Sequence, residues 1–167
     1  MTIPTRARET EHETLEKEAS HVLEETRMVI PGLQALFGFQ LIAVYNQPFW
    51  ELLSVQEQRF HFGGVVLTAA AIALLMTPAA YHRQAEPHEV SRFFLKLSGV
   101  LLTLGMFMLM LSLEVDCYLI GRAVLKDPQL SAGITGGLGI IYLGFWFVLP
   151  RIARRHARTT MARRLRA

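Results

Sequence analysis

Few polar groups of this 167-residue chain lie within its apolar stretches, and those few set the chemistry open to it. Gln34 and Gln40 are six residues apart, so a helix carrying both presents them on different faces. A buried amide can bond across a helix interface with no further role, or it can line a path for protons or cations. Glu114 and Asp116 follow a long uncharged run and precede the largely apolar stretch Cys117–Leu125. If a helix ends at Leu113, both carboxylates are solvated. If it continues, both are held near a membrane boundary, where a carboxylate can relay protons or bind a cation.

Other chemistries are set aside on residue types alone. One cysteine, Cys117, excludes an intramolecular dithiol mechanism. None of His12, His21, His61, His82, His88 and His156 falls in the middle of an apolar block, so a haem held between helices is not expected. His82, His88 and Glu89 share one polar segment, but three ligands without a recognised spacing are a weak metal signal. No glycine-rich phosphate loop occurs, and no serine or cysteine nucleophile has a base near it in sequence. No catalytic residue is assigned, no cofactor is expected, and the chain is not expected to be an enzyme.

The elements that must position these groups follow from composition. Apolar residues make up 51% of the chain and charged ones only 19%, with a mean hydropathy of +0.30. A soluble domain carries about a quarter charged residues. The apolar residues gather in four blocks: 28–45, 62–81, 93–113 and 131–149, of eighteen to twenty-one residues each. At about 1.5 Å per residue, each block matches the ~30 Å hydrocarbon core of a bilayer as a helix. Backbone groups in lipid must bond within the segment, which selects helices, and the alternation of a membrane β-barrel is absent. The expected fold is all-α, a four-helix transmembrane bundle at 28–149, after a short amphipathic helix in 1–27 and before a basic tail at 150–167.

Lysine and arginine set the orientation. Residues 1–27, the segment after the second block together with Lys96, and the tail carry fourteen; the other two connections carry three, Arg59, Arg122 and Lys126. Both termini are therefore expected on the cytoplasmic side of a bacterial inner membrane. The glutamate-rich N-terminus is not a signal peptide. Leu15, Ala19, Val22 and Leu23 recur at helical spacing, and Thr10 with Glu13 fits a capping box.

Several local features refine this picture. Pro31-Gly32 reads as the start of the first span, since proline loses nothing in a helix's first turn. Thr77-Pro78 should bend the second span near its end. Ser54 with Glu57 forms a second capping box, which starts the second helix ahead of its apolar block. Pro48, Phe49, Trp50, Leu52 and Leu53 suit the outer interface; Tyr81, Phe93, Phe94, Trp146 and Phe147 suit the inner one. Gly133, Gly137 and Gly144, four and seven residues apart, make a small-residue face, favoured as a contact within the chain, with homo-oligomer or other membrane-protein contact as the alternative. Arg151, Arg154, Arg155 and Arg158 anchor the topology and suit anionic lipid headgroups, each adding about 1 kcal/mol near the surface. Nucleic acid is not an expected partner, because no aromatic residue interleaves the arginines beyond Arg151.

Two runs carry a resemblance. Glu25-Thr26-Arg27 with Gly32-Leu33-Gln34-Ala35-Leu36-Phe37-Gly38-Phe39 resembles the opening of an uncharacterised family of small bacterial membrane proteins. Ala73 to Arg83, with its Pro-Ala-Ala-Tyr-His-Arg ending, resembles that family's second-helix end, and Asp116 stands where the family tends to have an acid. Pro31 departs from the pattern. The resemblance implies a four-helix inner-membrane protein of a family without known function, and it supplies no activity. The expected role is packing or interaction within the membrane; the alternative is a small proton or cation transport component using Gln34, Gln40, Glu114 and Asp116.

Overall fold

The computed structural model describes residues 5–87 and 90–164, with side chains from 13 to 87 and from 90 to 156. Every element among them is helical: α1 (Thr5–Ala43), α2 (Gln47–Leu52), α3 (Val55–Ala85), α4 (Arg92–Leu125), α5 (Pro128–Tyr142), a π-helical turn (Leu143–Val148) and α6 (Leu149–Arg164). Three helical stretches are long and apolar enough to cross a membrane: Val55–Ala85, Arg92–Leu125 and the continuous run Pro128–His156. α1 is not among them. Pro31, Gln34 and Gln40 dilute its apolar half, and the helix stops at Ala43, before the end of the first block.

Several boundaries differ from the sequence reading. The N-terminal amphipathic segment and the first span are one helix, so Pro31 lies inside α1 rather than at a helix start. Proline forfeits one backbone donor there, and packing along the rest of the helix carries the chain through. Thr10 is likewise interior to α1, so no capping box begins there. α4 does not stop at Leu113; it runs on to Leu125, because Glu114 and Asp116 are tolerated within a helix whose next residues are apolar again. The basic segment after the fourth block is helical to Arg164, continuous with the last span.

The chain divides into two compact units, Met1–Leu113 and Glu114–Ala167. In the first, α1, α3 and α4 meet along a seam with a seven-residue repeat. On α3 the buried residues are Glu57, His61, Gly64, Thr68, Ala71, Leu75 and Pro78, alternating steps of four and three. On α1 they are Ala19, Thr26, Leu33 and Gln40, each seven apart, and on α4 they include Ser98, Gly105 and Ser112, again seven apart. A 3.5-residue average keeps one stripe facing its neighbours and gives the shallow left-handed crossing of coiled coils. The stripe is built of small and polar residues, as suits helices whose outer faces meet lipid. Met28, Phe39, Phe62 and Phe93 are more than half exposed on those outer faces.

α3 opens with the capping box read from the sequence. Ser54 Oγ accepts from the Glu57 amide at 3.4 Å, and Glu57 Oε2 accepts from the Ser54 amide at 2.8 Å. Ahead of it α2 folds Trp50 back, its Nε1 donating to the Val44 carbonyl at 2.8 Å. In the second unit, the end of α4 and the start of α5 form a tight antiparallel hairpin. Lys126 turns the chain with a φ of 56°, a left-handed conformation that costs an L-residue about 1–2 kcal/mol. Asp127 then caps α5, accepting from the amides of Gln129 (2.8 Å) and Leu130 (3.1 Å), with Pro128 in the first turn. Gly121 and Gly139 permit the approach, since a Cβ on either would stand 3.2 Å from Ser131 or 3.3 Å from the Glu114 carboxyl.

Candidate functional site

The seam of the first unit contains polar residues at two levels, separated by an apolar one. At the first level Ser112 of α4 is the centre. Its hydroxyl donates to the Gly64 carbonyl at 2.9 Å and accepts from Gln40 Nε2 at 2.9 Å. A serine hydroxyl has one proton, already committed to Gly64, so Thr68 Oγ1 at 2.6 Å must be a donor to Ser112. Ser112 is thereby fully satisfied at 0% exposure, and three helices are tied at one point. His61, one turn along α3, donates from Nε2 to the Gln40 carbonyl at 2.9 Å, since a carbonyl can only accept. The Phe49 ring lies edge-on to it, 5.0 Å between centroids.

The intervening level is closed. Leu33, Ala71 and Leu75 are 0–2% exposed, and a Cβ added to Gly105 would stand 2.7 Å from Leu75 Cγ.

Another seven-residue step from Leu33 and Gly105 reaches Thr26 on α1 and Ser98 on α4; on α3 the same step from Leu75 reaches His82. Thr26 Oγ1 returns its proton to the Val22 carbonyl at 3.0 Å. Ser98 Oγ and His82 Nδ1 are buried atoms with no hydrogen-bond partner among the described residues. The His82 ring packs on Phe94 at 5.4 Å, and Phe94 with Ala19 and Val90 forms a small apolar cluster just beyond. On one flank a cleft of about 340 Å³ opens, lined by Glu16, Ala19, Ser20, Leu23, Glu24, Arg27, His82, Pro87 and Val90.

Of the residues singled out from sequence, Gln34 and Gln40 belong to the first unit, and Glu114 and Asp116 to the second. Gln40 enters the first polar level, whereas Gln34 is exposed. Glu114 packs its carboxyl against Gly139, with Oε1 buried and lacking a hydrogen-bond partner among the described residues. Asp116 is half-buried two residues on. Within the second unit, nothing comes within 4 Å of a Cβ placed on Gly133, Gly137 or Gly144. The close approaches fall instead at Gly105, Gly121 and Gly139, because the seam and hairpin registers select those positions. Arg151 donates to the Phe147 carbonyl at 2.8 Å and stacks over its ring, while Arg154 and Arg155 are exposed. His88, Glu89 and the Arg158 side chain lie outside the described residues.

Sequence reasoning missed His61, Thr68, Ser112 and the π-helical turn. The first three share a visible signal, small or polar residues recurring every seven positions through apolar blocks. The π turn, where the Tyr142 and Trp146 rings stand 4.9 Å apart, has no comparable signature.

A family model covers residues 8–150, from the first turn of α1 through the π turn. The chain belongs to DUF6328, a family of unknown function. It is the uncharacterised family to which the Thr26 and Pro78 runs pointed. The DUF6328 match ends at Pro150, so the arginines of α6 lie beyond it. No curated protein and no solved structure matches the chain.

Proposed function

We propose that this DUF6328 member is a multi-span protein of the bacterial inner membrane that acts by packing against a partner helix within the bilayer rather than by catalysis. The observation that carries this reading is the open glycine face of the last span. Gly133, Gly136, Gly137 and Gly144 have nothing from their own compact unit within 4 Å of a would-be Cβ, on a run apolar enough to span the membrane. Small residues let helix backbones approach closely, the main source of association where lipid is as apolar as leucine. The partner is a second copy of this chain or another membrane protein. α1 serves as the fourth span, its half from Met28 seated in the seam through Leu33 and Gln40. Both termini face the cytoplasm, and Arg151, Arg154, Arg155 and Arg158 rest on anionic lipid headgroups.

Site-specific crosslinking in membranes tests the reading. A crosslinked species that weakens in Gly137→Ile is the expected result; an unchanged pattern overturns it.

The transport alternative retains one supporting observation, the buried Glu114 Oε1 without a hydrogen-bond partner among the described residues, on an apolar helix. Proton or cation flux in reconstituted vesicles, reduced in Glu114→Gln and Asp116→Asn, would favour it. Absence of flux in the native protein removes it.

A further inference from the structure

We infer that Glu114 is a proton-binding site inside the bilayer, whose occupancy holds the α4–α5 hairpin closed. The inference rests on the chain residing in a bilayer. It needs neither a partner for the last span nor any flux across the membrane.

The register of the hairpin sets the depth of the carboxyl. Gly121 of α4 lies against Ser131 of α5, and Glu114 lies against Gly139. Glu114 is thus seven residues along α4 from the level of Ser131, where the last apolar block begins. At about 1.5 Å per residue, that is roughly 10 Å into a hydrocarbon core of ~30 Å.

Nothing at that depth offsets a negative charge. No charged residue occurs between Asp127 and Arg151, so α5 and the π turn offer no cation. Along α4 the nearest one, Arg122, is eight residues away, about 12 Å up the axis. The titratable groups close enough to feel the carboxyl are Cys117 on α4 and Tyr142 on α5, with Asp116 acting on the same thiol. None of them is a cation.

Gly139 is what lets the carboxyl take its seat, since a Cβ there would stand 3.3 Å from the carboxyl carbon and from Oε1. Oε1 is enclosed without a hydrogen-bond partner among the described residues. The amides of α5 are already bonded within their own helix and have no proton to spare. A neutral acid can rest on such a surface, whereas a bare carboxylate there is far costlier. Loss of the proton therefore drives the side chain out of the seat and loosens the hairpin. A metal ion in its place would need several ligands, and no group of three suitable side chains occurs among the described residues. A proton needs one.

The test treats the full chain in lipid vesicles with dicyclohexylcarbodiimide, a lipid-soluble reagent for protonated carboxyls. Glu114 is half-buried, so such a reagent can reach it from the lipid. The acid O–H adds across one C=N bond; the acyl group then moves to nitrogen and retains the whole reagent as an N-acylurea. Peptide mass spectrometry locates the product. Modification at Glu114 is expected at neutral pH, falling about tenfold per pH unit once the carboxyl ionises. A water-soluble carbodiimide should leave Glu114 unmodified, and Asp116→Asn should label as the native chain does. No product at Glu114, a product at Asp116 in its place, or equal modification by both reagents overturns the inference.

Stability gives the second readout, because Glu114→Gln keeps the shape of the neutral acid and cannot titrate. Resistance of the native chain to a denaturing detergent should decline from neutral to alkaline pH more steeply than that of Glu114→Gln. Parallel declines overturn the coupling to the hairpin. A chain that labels at Glu114 yet passes no ions keeps the site and loses the transport reading, so the two fail separately.

Discussion

Gln40 on α1 and Ser112 on α4, seventy-two residues apart in sequence, are joined by a 2.9 Å hydrogen bond at a level where both are at most 3% exposed. Around that bond Thr68 and the Gly64 carbonyl complete the hydroxyl's inventory, so Ser112 holds three helices at once.

Ser112→Ala should therefore destabilise the protein well beyond its size. It leaves the Gln40 amide and the Thr68 hydroxyl without their acceptor, a loss of about 1–2 kcal/mol by the scale of interhelical bonds in membranes. Gln34→Ala, at an exposed position of the same helix, should fall within about 0.5 kcal/mol of native. Unfolding by titration with a denaturing detergent compares the two, and equal midpoints would contradict the layer's role.

Gly105 offers a sterically different test. An alanine methyl there would stand 2.7 Å from Leu75 Cγ and 3.4 Å from the Ala71 carbonyl, in a level with no room to yield. Gly105→Ala should cost about 1–3 kcal/mol through overpacking. Gly99→Ala, with open space around its Cβ, should be neutral or mildly stabilising, since alanine favours the helix by up to about 1 kcal/mol. The same detergent titration separates them.

The capping box makes a smaller, local claim. Ser54→Ala removes the acceptor of the Glu57 amide and should cost about 1 kcal/mol, without affecting the Gln40–Ser112 bond. Hydrogen exchange should report faster opening confined to the first turn of α3; protection lost evenly along the helix would contradict the assignment.

Topology is testable without a structure. In a Cys117→Ser background, Glu51→Cys should react with a membrane-impermeant thiol reagent in intact spheroplasts. Ala153→Cys should react only after permeabilisation. Labelling of Ala153→Cys in intact cells would reverse the proposed orientation, and neutralising Arg151, Arg154 and Arg155 should push a fraction of the chains that way.

Much of this fold was legible because the bilayer limits the options: long uncharged blocks become helices, and α3 with its Ser54–Glu57 start follows from residue types alone. Ends were harder. Charge suggested that α4 ends before Glu114, yet directly after Asp116 the apolar pattern resumes and carries the helix to Leu125. Pro31 resembled a beginning because a local rule was applied where the tertiary seam decides. The site escaped for a different reason. In water a buried stripe announces itself by contrast with polar neighbours, whereas Thr26, Thr68, Ser98 and Ser112 are buried because they are small and polar among larger apolar residues facing lipid. His61, just ahead of its apolar block, looked peripheral and is instead 6% exposed.

A repeat of seven has an ambiguity built into it: slide one rod by two turns and most of its knobs find equivalent sockets. Moved one notch, Gln40 would confront Gly105 and the aliphatic plug around Leu75, its amide stranded in hydrocarbon. The single amide–hydroxyl pair thus works as the tooth of a key, admitting one seating of three otherwise interchangeable grooves.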